Sequence, residues 1–318
     1  MNAFTVSTIT ALIAFAPAAL AWNDYGHNLA ASIAYRELKP EVKARVDATL
    51  KEHVQYSLLS TGCPKGFDQG EWVFMRAATW PDMVRSDKNP HHRTDHRPKW
   101  HYINFPINLD GKKGPEPKVE WKKGAEPENA VQALAKVEAG LKDENQKAPE
   151  KAKDLSWFLH LASDLHQPLH GSNLYSNQYP SGDQGGNAFW VRTDAGMPVK
   201  LHALWDQCLG TSKNMKDIAD RGAGLVVRKD LTRTALAPKL KETEYRTWAV
   251  EGRDLAKSVA YQDGKVKGAL GTDENKPKDA PLLPAGYFRT AEKLAEQQIV
   301  LAGYRIADKL NTFTAGAE

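Results

Sequence analysis

Residues 158–171 read FLHLASDLHQPLHG: Phe158-Leu-His160-Leu-Ala-Ser-Asp164-Leu-His166-Gln-Pro168-Leu-His170-Gly171. Apolar residues at helical spacing frame three histidines and an aspartate, and Pro168 ends the run because it can neither donate the next backbone bond nor clear the preceding turn. Four residues make about one turn, so His160 and Asp164 project from one face of a helix and can hold one ion between them. Beyond the break, His170 is free to approach from another direction. His166 stands two residues past Asp164, on the other side of the helix, and reads as a packing or supporting residue.

The same pattern recurs in Lys200–Asp206, KLHALWD, where His202 and Asp206 again lie four apart on an apolar helical segment. One such pair is explained by a core histidine held by its carboxylate neighbour. Two pairs plus His170 are not, because several buried imidazoles and carboxylates are costly unless a cation satisfies them. Donors of nitrogen and oxygen without thiolate suit zinc in a catalytic rather than a structural setting.

Around these segments the chain is mostly helical. Apolar periodicity marks helices over Leu29–Leu38, Val42–Leu50, Ala130–Leu141, Leu155–Leu165, Trp248–Val259 and Phe288–Leu310. Pro40-Glu41, Pro127-Glu128 and Pro149-Glu150 read as first helical turns. Strand signal is confined to a small hairpin, Ala188–Arg192 with Pro198–Leu201 around Asp194-Ala195-Gly196, and to an extended His101–Phe105. The polar stretches Asp110–Pro127 and Asp263–Pro281 read as surface loops, as does the histidine-rich Asn89–Lys99, whose His91, His92 and His96 are not assigned to metal.

At 318 residues, 41% hydrophobic and 26% charged, the composition excludes global disorder. A net charge of +4 permits an anionic partner without demanding one. No internal run reaches the ~18 apolar residues of a membrane span. Ala11–Ala21, ALIAFAPAALA, ends small-x-small before Trp22 and reads as a signal peptide, although no Lys or Arg precedes it. The expected organisation is therefore a leader over residues 1–21 and one domain over 22–318, in a periplasmic or secreted, monomeric protein. Cys63 and Cys208 either pair or remain two thiols.

Three further stretches complete a pattern: Trp22–His27 (WNDYGH), Thr79–Arg85 (TWPDMVR) and Trp100–Pro106 (WHYINFP). In this order, with the two histidine–aspartate pairs, they resemble the zinc-dependent, single-strand-preferring nuclease and 3′-nucleotidase family of fungi, plants and bacteria. The resemblance implies a mostly α single domain with a small β-hairpin and a trinuclear zinc cleft. It implies one zinc on Asp82, His101, His160 and Asp164. A close neighbour would sit on the α-amine and carbonyl of Trp22, on His27 and on the second oxygen of Asp164, and a third zinc on His170, His202 and Asp206. It implies hydrolysis of single-stranded DNA, RNA and 3′-nucleotides to 5′-phosphate products, with water activated by the close pair and the leaving O3′ stabilised by the third zinc. Asp164 and Arg85 would act at the reacting phosphate. The Asp183-Gln184-Gly185-Gly186-Asn187 segment matches the family's GGN segment and reads as a substrate contact or as a plain turn before the hairpin. Asn104 stands where fungal members commonly carry aspartate, and it can orient water but not take its proton. Two other classes fit parts of the pattern: a secreted zinc phospholipase C, which typically has glutamate at the position of Asp206 and lacks GGN, and a non-catalytic zinc-binding protein.

Overall fold

The computed structural model describes residues 22–193 and 196–313. The reading of residues 1–21 as a leader, and the Asp194-Ala195 tip of the hairpin, lie outside the described residues. At the centre runs the helix Asp24–Glu37, whose residues from Tyr25 to Tyr35 are all buried. A helix enclosed on every side needs neighbours all round. They are Gln69–Met83, Ala148–Asp164, Met215–Val226 and the long C-terminal helix Tyr287–Phe313. Small residues allow the closest of these approaches. Ala30 and Ile33 of the central helix lie against Gly303, where even a Cβ would stand 2.6 Å from Ile33 Cγ2 and 3.1 Å from the Ala30 carbonyl.

The expected helices are all present, with shifted ends: Leu29–Leu38 falls in Asp24–Glu37 with Leu38 as its C-cap, Leu155–Leu165 in Ala148–Asp164 with Leu165 as its C-cap, and Trp248–Val259 is Tyr245–Leu255 continued by a π-turn, Ala256–Ala260. Pro40 and Pro149 sit in first turns as expected. Pro127 does not: the helix begins at Ala130, because the Asn129 side chain takes the amides of Val131 and Gln132 and so makes the cap itself. Three further helices lie outside the expected set. Gln69–Met83 is apolar on every face and carries Pro81 in its last turn, Met215–Val226 contains two glycines, and Arg233–Leu240 contains Pro238. Their caps are nonetheless legible, with Asp68, Asn214 and Thr232 each accepting an amide of the first turn.

The hairpin forms from Phe189–Arg192 and Pro198–Lys200, paired antiparallel. It gains a third strand, Ala269–Leu270, from a stretch expected to be loop throughout. The extended segment lies later than expected. His101 closes a 3-10 turn, Pro98–His101, and the strand is Phe105–Asn108, paired in parallel with Ser172–Tyr175 at the register Phe105↔Ser172. The histidine-rich loop also contains a helical turn, His92–Asp95, with Asp95 buried against Lys153. Cys63 and Cys208 are free thiols. Among the described residues no helix is long and apolar enough to cross a membrane.

The Gly303 contact gives a direct test of the central packing. Gly303→Ala should lower stability by about 1–3 kcal/mol through overpacking, read as a shift in the urea midpoint with an unchanged slope.

Candidate metal centre

Five other elements meet the end of the Ala148–Asp164 helix. His160 and Asp164 occupy its last turn, and Leu165 caps it just before the Gln167-Pro168 break. His27 comes from the second turn of the central helix, Asp82 from the last turn of Gln69–Met83, and His101 from the end of its 3-10 turn. His170 sits in the Pro168–Gly171 turn, and His202 and Asp206 one turn apart in the helix Leu201–Gln207. All eight side chains except Asp82 are buried.

These residues fall into three groups whose ligand atoms lie within 4.8 Å of one another: His27, Asp82 and His160; His101, His160 and Asp164; His170, His202 and Asp206. Asp164 divides its oxygens, with Oδ2 at 3.2 Å from His160 Nε2 and 3.4 Å from His101 Nδ1, and Oδ1 at 3.5 Å from His27 Nε2. Asp82 does likewise at longer range: its Oδ1 is 3.9 Å from both His101 and His160, and its Oδ2 is 3.9 Å from His27. Sequence reasoning assigned the bridging role to Asp164 alone, whereas both carboxylates span the first two groups. In the third group Asp206 places Oδ2 at 3.5 Å from His202 Nε2 and Oδ1 at 3.8 Å from His170 Nε2, and the two rings stack at 4.9 Å.

Four of the five imidazoles are aimed by the nitrogen they do not present. His27 Nδ1 bonds Ser163 Oγ at 2.8 Å, His160 Nδ1 donates to the Ala78 carbonyl at 2.9 Å, His170 Nδ1 to the His101 carbonyl at 2.8 Å, and His202 Nδ1 to the Gly185 carbonyl at 2.6 Å. Such outer bonds fix tautomer and ring orientation in metal-binding histidines. The inward atoms His27 Nε2 and His170 Nε2 and both oxygens of Asp164 are buried without a hydrogen-bond partner. A cation is the group that would satisfy all of them, so the residues present fit a metal.

The electrostatics agree. Burial, and after it the neighbouring His160, hold His27 and His101 well below the ordinary histidine range, and burial with His202 does the same to His170. Burial pushes Asp206 well above the carboxylate range despite the hydrogen bond from Gln167 Nε2 at 2.8 Å. His160 moves the other way: burial opposes its charge, but Asp164 and Asp82 outweigh it and raise the group to about 9. Its Nε2 lies 2.9 Å from His101 Nδ1, so one proton shared there holds the place of a cation.

The remaining expected residues take more varied places. The indole of Trp22 is fully buried and donates to the Ser163 carbonyl at 3.1 Å, and its backbone lies against His27. Arg85 places Nη1 3.0 Å from Asp82 Oδ1. Asn104 is exposed, and so is Tyr102 beside His101. His166 turns away to the Arg305 guanidinium at 3.0 Å. Within the GGN segment, Asp183 differs from its reading as a substrate contact. Asp183 is wholly buried, its carboxylate taken by the Leu174 amide and the Tyr261 hydroxyl. The glycines are needed for close packing: a Cβ on Gly185 would stand 2.6 Å from the Leu169 carbonyl, and one on Gly186 3.1 Å from the His202 amide, both at positive φ. Asn187 is half-buried, with its amide on the Gln184 carbonyl. Gln167, which fixes Asp206, went unread, although its place before Pro168 marked the end of the ligand helix.

An α-helical protein that gathers five histidines and three aspartates into one thiolate-free cleft has the build of a metal-dependent hydrolase. The chain belongs to the S1/P1 nuclease family, whose profile, S1/P1 Nuclease, matches residues 22–315. It is also similar to Nuclease S1 of Aspergillus oryzae, at 26% identity over 184 residues, covering 52% of this chain and 55% of that protein. The chain thus spans about half the length of the curated relative it matches.

The charge pattern sets a test. His160 is protonated below about pH 9, and a metal must displace that proton. Zinc titrated into chelated protein at pH 7 should release at least one proton, seen by calorimetry as an enthalpy that varies with buffer ionisation. This release should vanish as the pH rises above the His160 value. A buffer-independent enthalpy at pH 7 would contradict the arrangement.

Proposed function

We propose that the chain is an exported zinc-dependent phosphodiesterase that cleaves single-stranded DNA and RNA to 5′-phosphate products and removes phosphate from 3′-nucleotides. The observation that carries this reading is the pair of groups joined through Asp82 and Asp164, with the third group close by. Asp82, His101, His160 and Asp164 would hold one zinc, His27 and the terminus at Trp22 with Asp164 a second, and His170, His202 and Asp206 a third. Bound there, zinc would supply a nucleophile at neutral pH and positive charge for the leaving oxygen.

The chain's own residues supply placement. Ser163 and the Ala78, His101 and Gly185 carbonyls lock the imidazoles, so the donor set is preorganised before substrate arrives. Arg85, held against Asp82 by one arm of its guanidinium, offers a fixed donor fork to a non-bridging phosphate oxygen. Asn104 can orient water and cannot take its proton, which leaves proton removal to the metal centre. Tyr102 offers an exposed ring on which an unpaired base can stack.

Chelation should abolish cleavage of a short single-stranded oligonucleotide, zinc should restore it, and phosphatidylcholine should remain uncleaved; the opposite substrate preference would assign the scaffold to the phospholipases. Asp164→Asn should cost more than Asp206→Asn, roughly 100-fold or more in turnover, because it weakens two groups where Asp206 serves one. Equal losses with full metal retention would refute this division of roles.

Residues 1–21 are proposed as a leader removed before Trp22. The support is the buried indole of Trp22, its backbone beside His27, and the family match beginning at that residue. An amine ligates a metal well, whereas a neutral amide nitrogen is a poor donor, since its lone pair is delocalised. A protein with one extra residue before Trp22 should therefore fold, hold one zinc weakly and lose turnover more than substrate affinity. Full zinc content and activity in that protein, with the extra residue verified by mass spectrometry, would remove the terminal amine from the site.

A further inference from the structure

The segment Gln184-Gly185-Gly186 has three successive residues at positive φ, of +57°, +60° and +84°. For Gln184 this is a strained conformation that its surroundings must impose. Asp183 imposes it. Its carboxylate is wholly buried, accepts from the Leu174 amide at 2.9 Å and the Tyr261 hydroxyl at 2.5 Å, and lies near enough to the amides of Gly185 and Gly186 for them to favour its ionised form. Converging backbone amides of this kind form an anion-binding nest, filled here by the chain's own side chain.

One of those amides has a special position. The N–H of Gly186 and the C=O of Gly185 belong to the same planar peptide and point in opposite directions. Asp183 lies on the N–H side of this peptide, so the carbonyl is aimed away from it, where it receives His202 Nδ1–H at 2.6 Å. The Gly186 carbonyl adds a bond from the His202 amide at 3.3 Å. His202 is thereby left with Nε2 facing Asp206. A negative charge at the N–H end of a peptide also strengthens its carbonyl as an acceptor, which makes the imidazole a better electron donor.

Resting on the reading of His170, His202 and Asp206 as a metal site, we infer that Asp183 is a positioning residue for that site, acting on His202 through the Gly185–Gly186 peptide. It joins a carboxylate to a metal-facing histidine across one peptide plane.

The test is zinc titration of the chelated full chain and its variants, with melting temperatures of the metal-free forms measured beside it. His202→Ala marks which zinc belongs to this group. In Asp183→Asn that zinc should bind roughly 10–100-fold more weakly, while the other two bind as in the parent. Tyr261→Phe removes a bond from the same carboxylate without touching the peptide, so it should lower the melting temperature and leave all zinc affinities unchanged. If Tyr261→Phe weakens the His202 zinc in step with its melting temperature, Asp183 is only a staple and the inference falls, whether or not Asp183→Asn folds. Unchanged zinc binding in a folded Asp183→Asn also overturns it. Should the parent itself bind no zinc that His202→Ala removes, the metal-site reading fails first and takes the inference with it.

Discussion

Burial of the Asp164 carboxylate is the constraint on which the rest turns. A carboxylate with no solvent exposure, both oxygens lacking a hydrogen-bond partner and three imidazoles within 3.5 Å, is stable only beside positive charge. The protein meets this need with a proton on His160, and its donor atoms are arranged so that a metal meets it better. Everything nearby serves the same end. The enclosed central helix carries His27 inward, and the ligand helix stops at Asp164, just ahead of the Gln167-Pro168 break. The Gln69–Met83 helix brings Asp82 to the rim, where Arg85 tempers its charge.

Neutral imidazoles beside a raised carboxylate are the expected state of ligands awaiting a cation, since burial penalises charge of either sign. The metal reverses the carboxylate shift by favouring the ionised form, and displaces the proton from His160, the one ring held charged. Loading and proton loss are therefore one event, which makes the centre sensitive to acid without any separate sensor.

Much of this was legible in the chain. The i,i+4 pairs His160/Asp164 and His202/Asp206 announce a shared face because a helix turns once in about four residues, and Pro168 announces where that face ends. The helix bearing Asp82 was hidden because an all-round buried helix has no apolar period, even though Asp68 and Glu71 form its capping signal. Asp183 was misread for another reason. Gly-Gly-Asn fits a ligand-binding loop and a tightly packed turn equally well, and only the positions of Leu169 and His202 decide between them. Long-range contacts of that kind leave no mark in local spacing. The strand Ala269–Leu270 was missed likewise, since two residues at a sheet edge carry no periodicity.

The short parallel pairing of Phe105–Asn108 with Ser172–Tyr175 has an effect beyond its size. Just before it, the Ile103 amide binds the His170 carbonyl at 2.8 Å, and His170 Nδ1 binds the His101 carbonyl at the same distance. His101 belongs to one metal group and His170 to another, so two backbone segments clamped together act as a ruler between them. The interval between the two groups is thus written in main-chain geometry, out of reach of most side-chain exchanges. Exchanges at exposed positions such as Tyr102 and Asn104 would leave that interval unchanged.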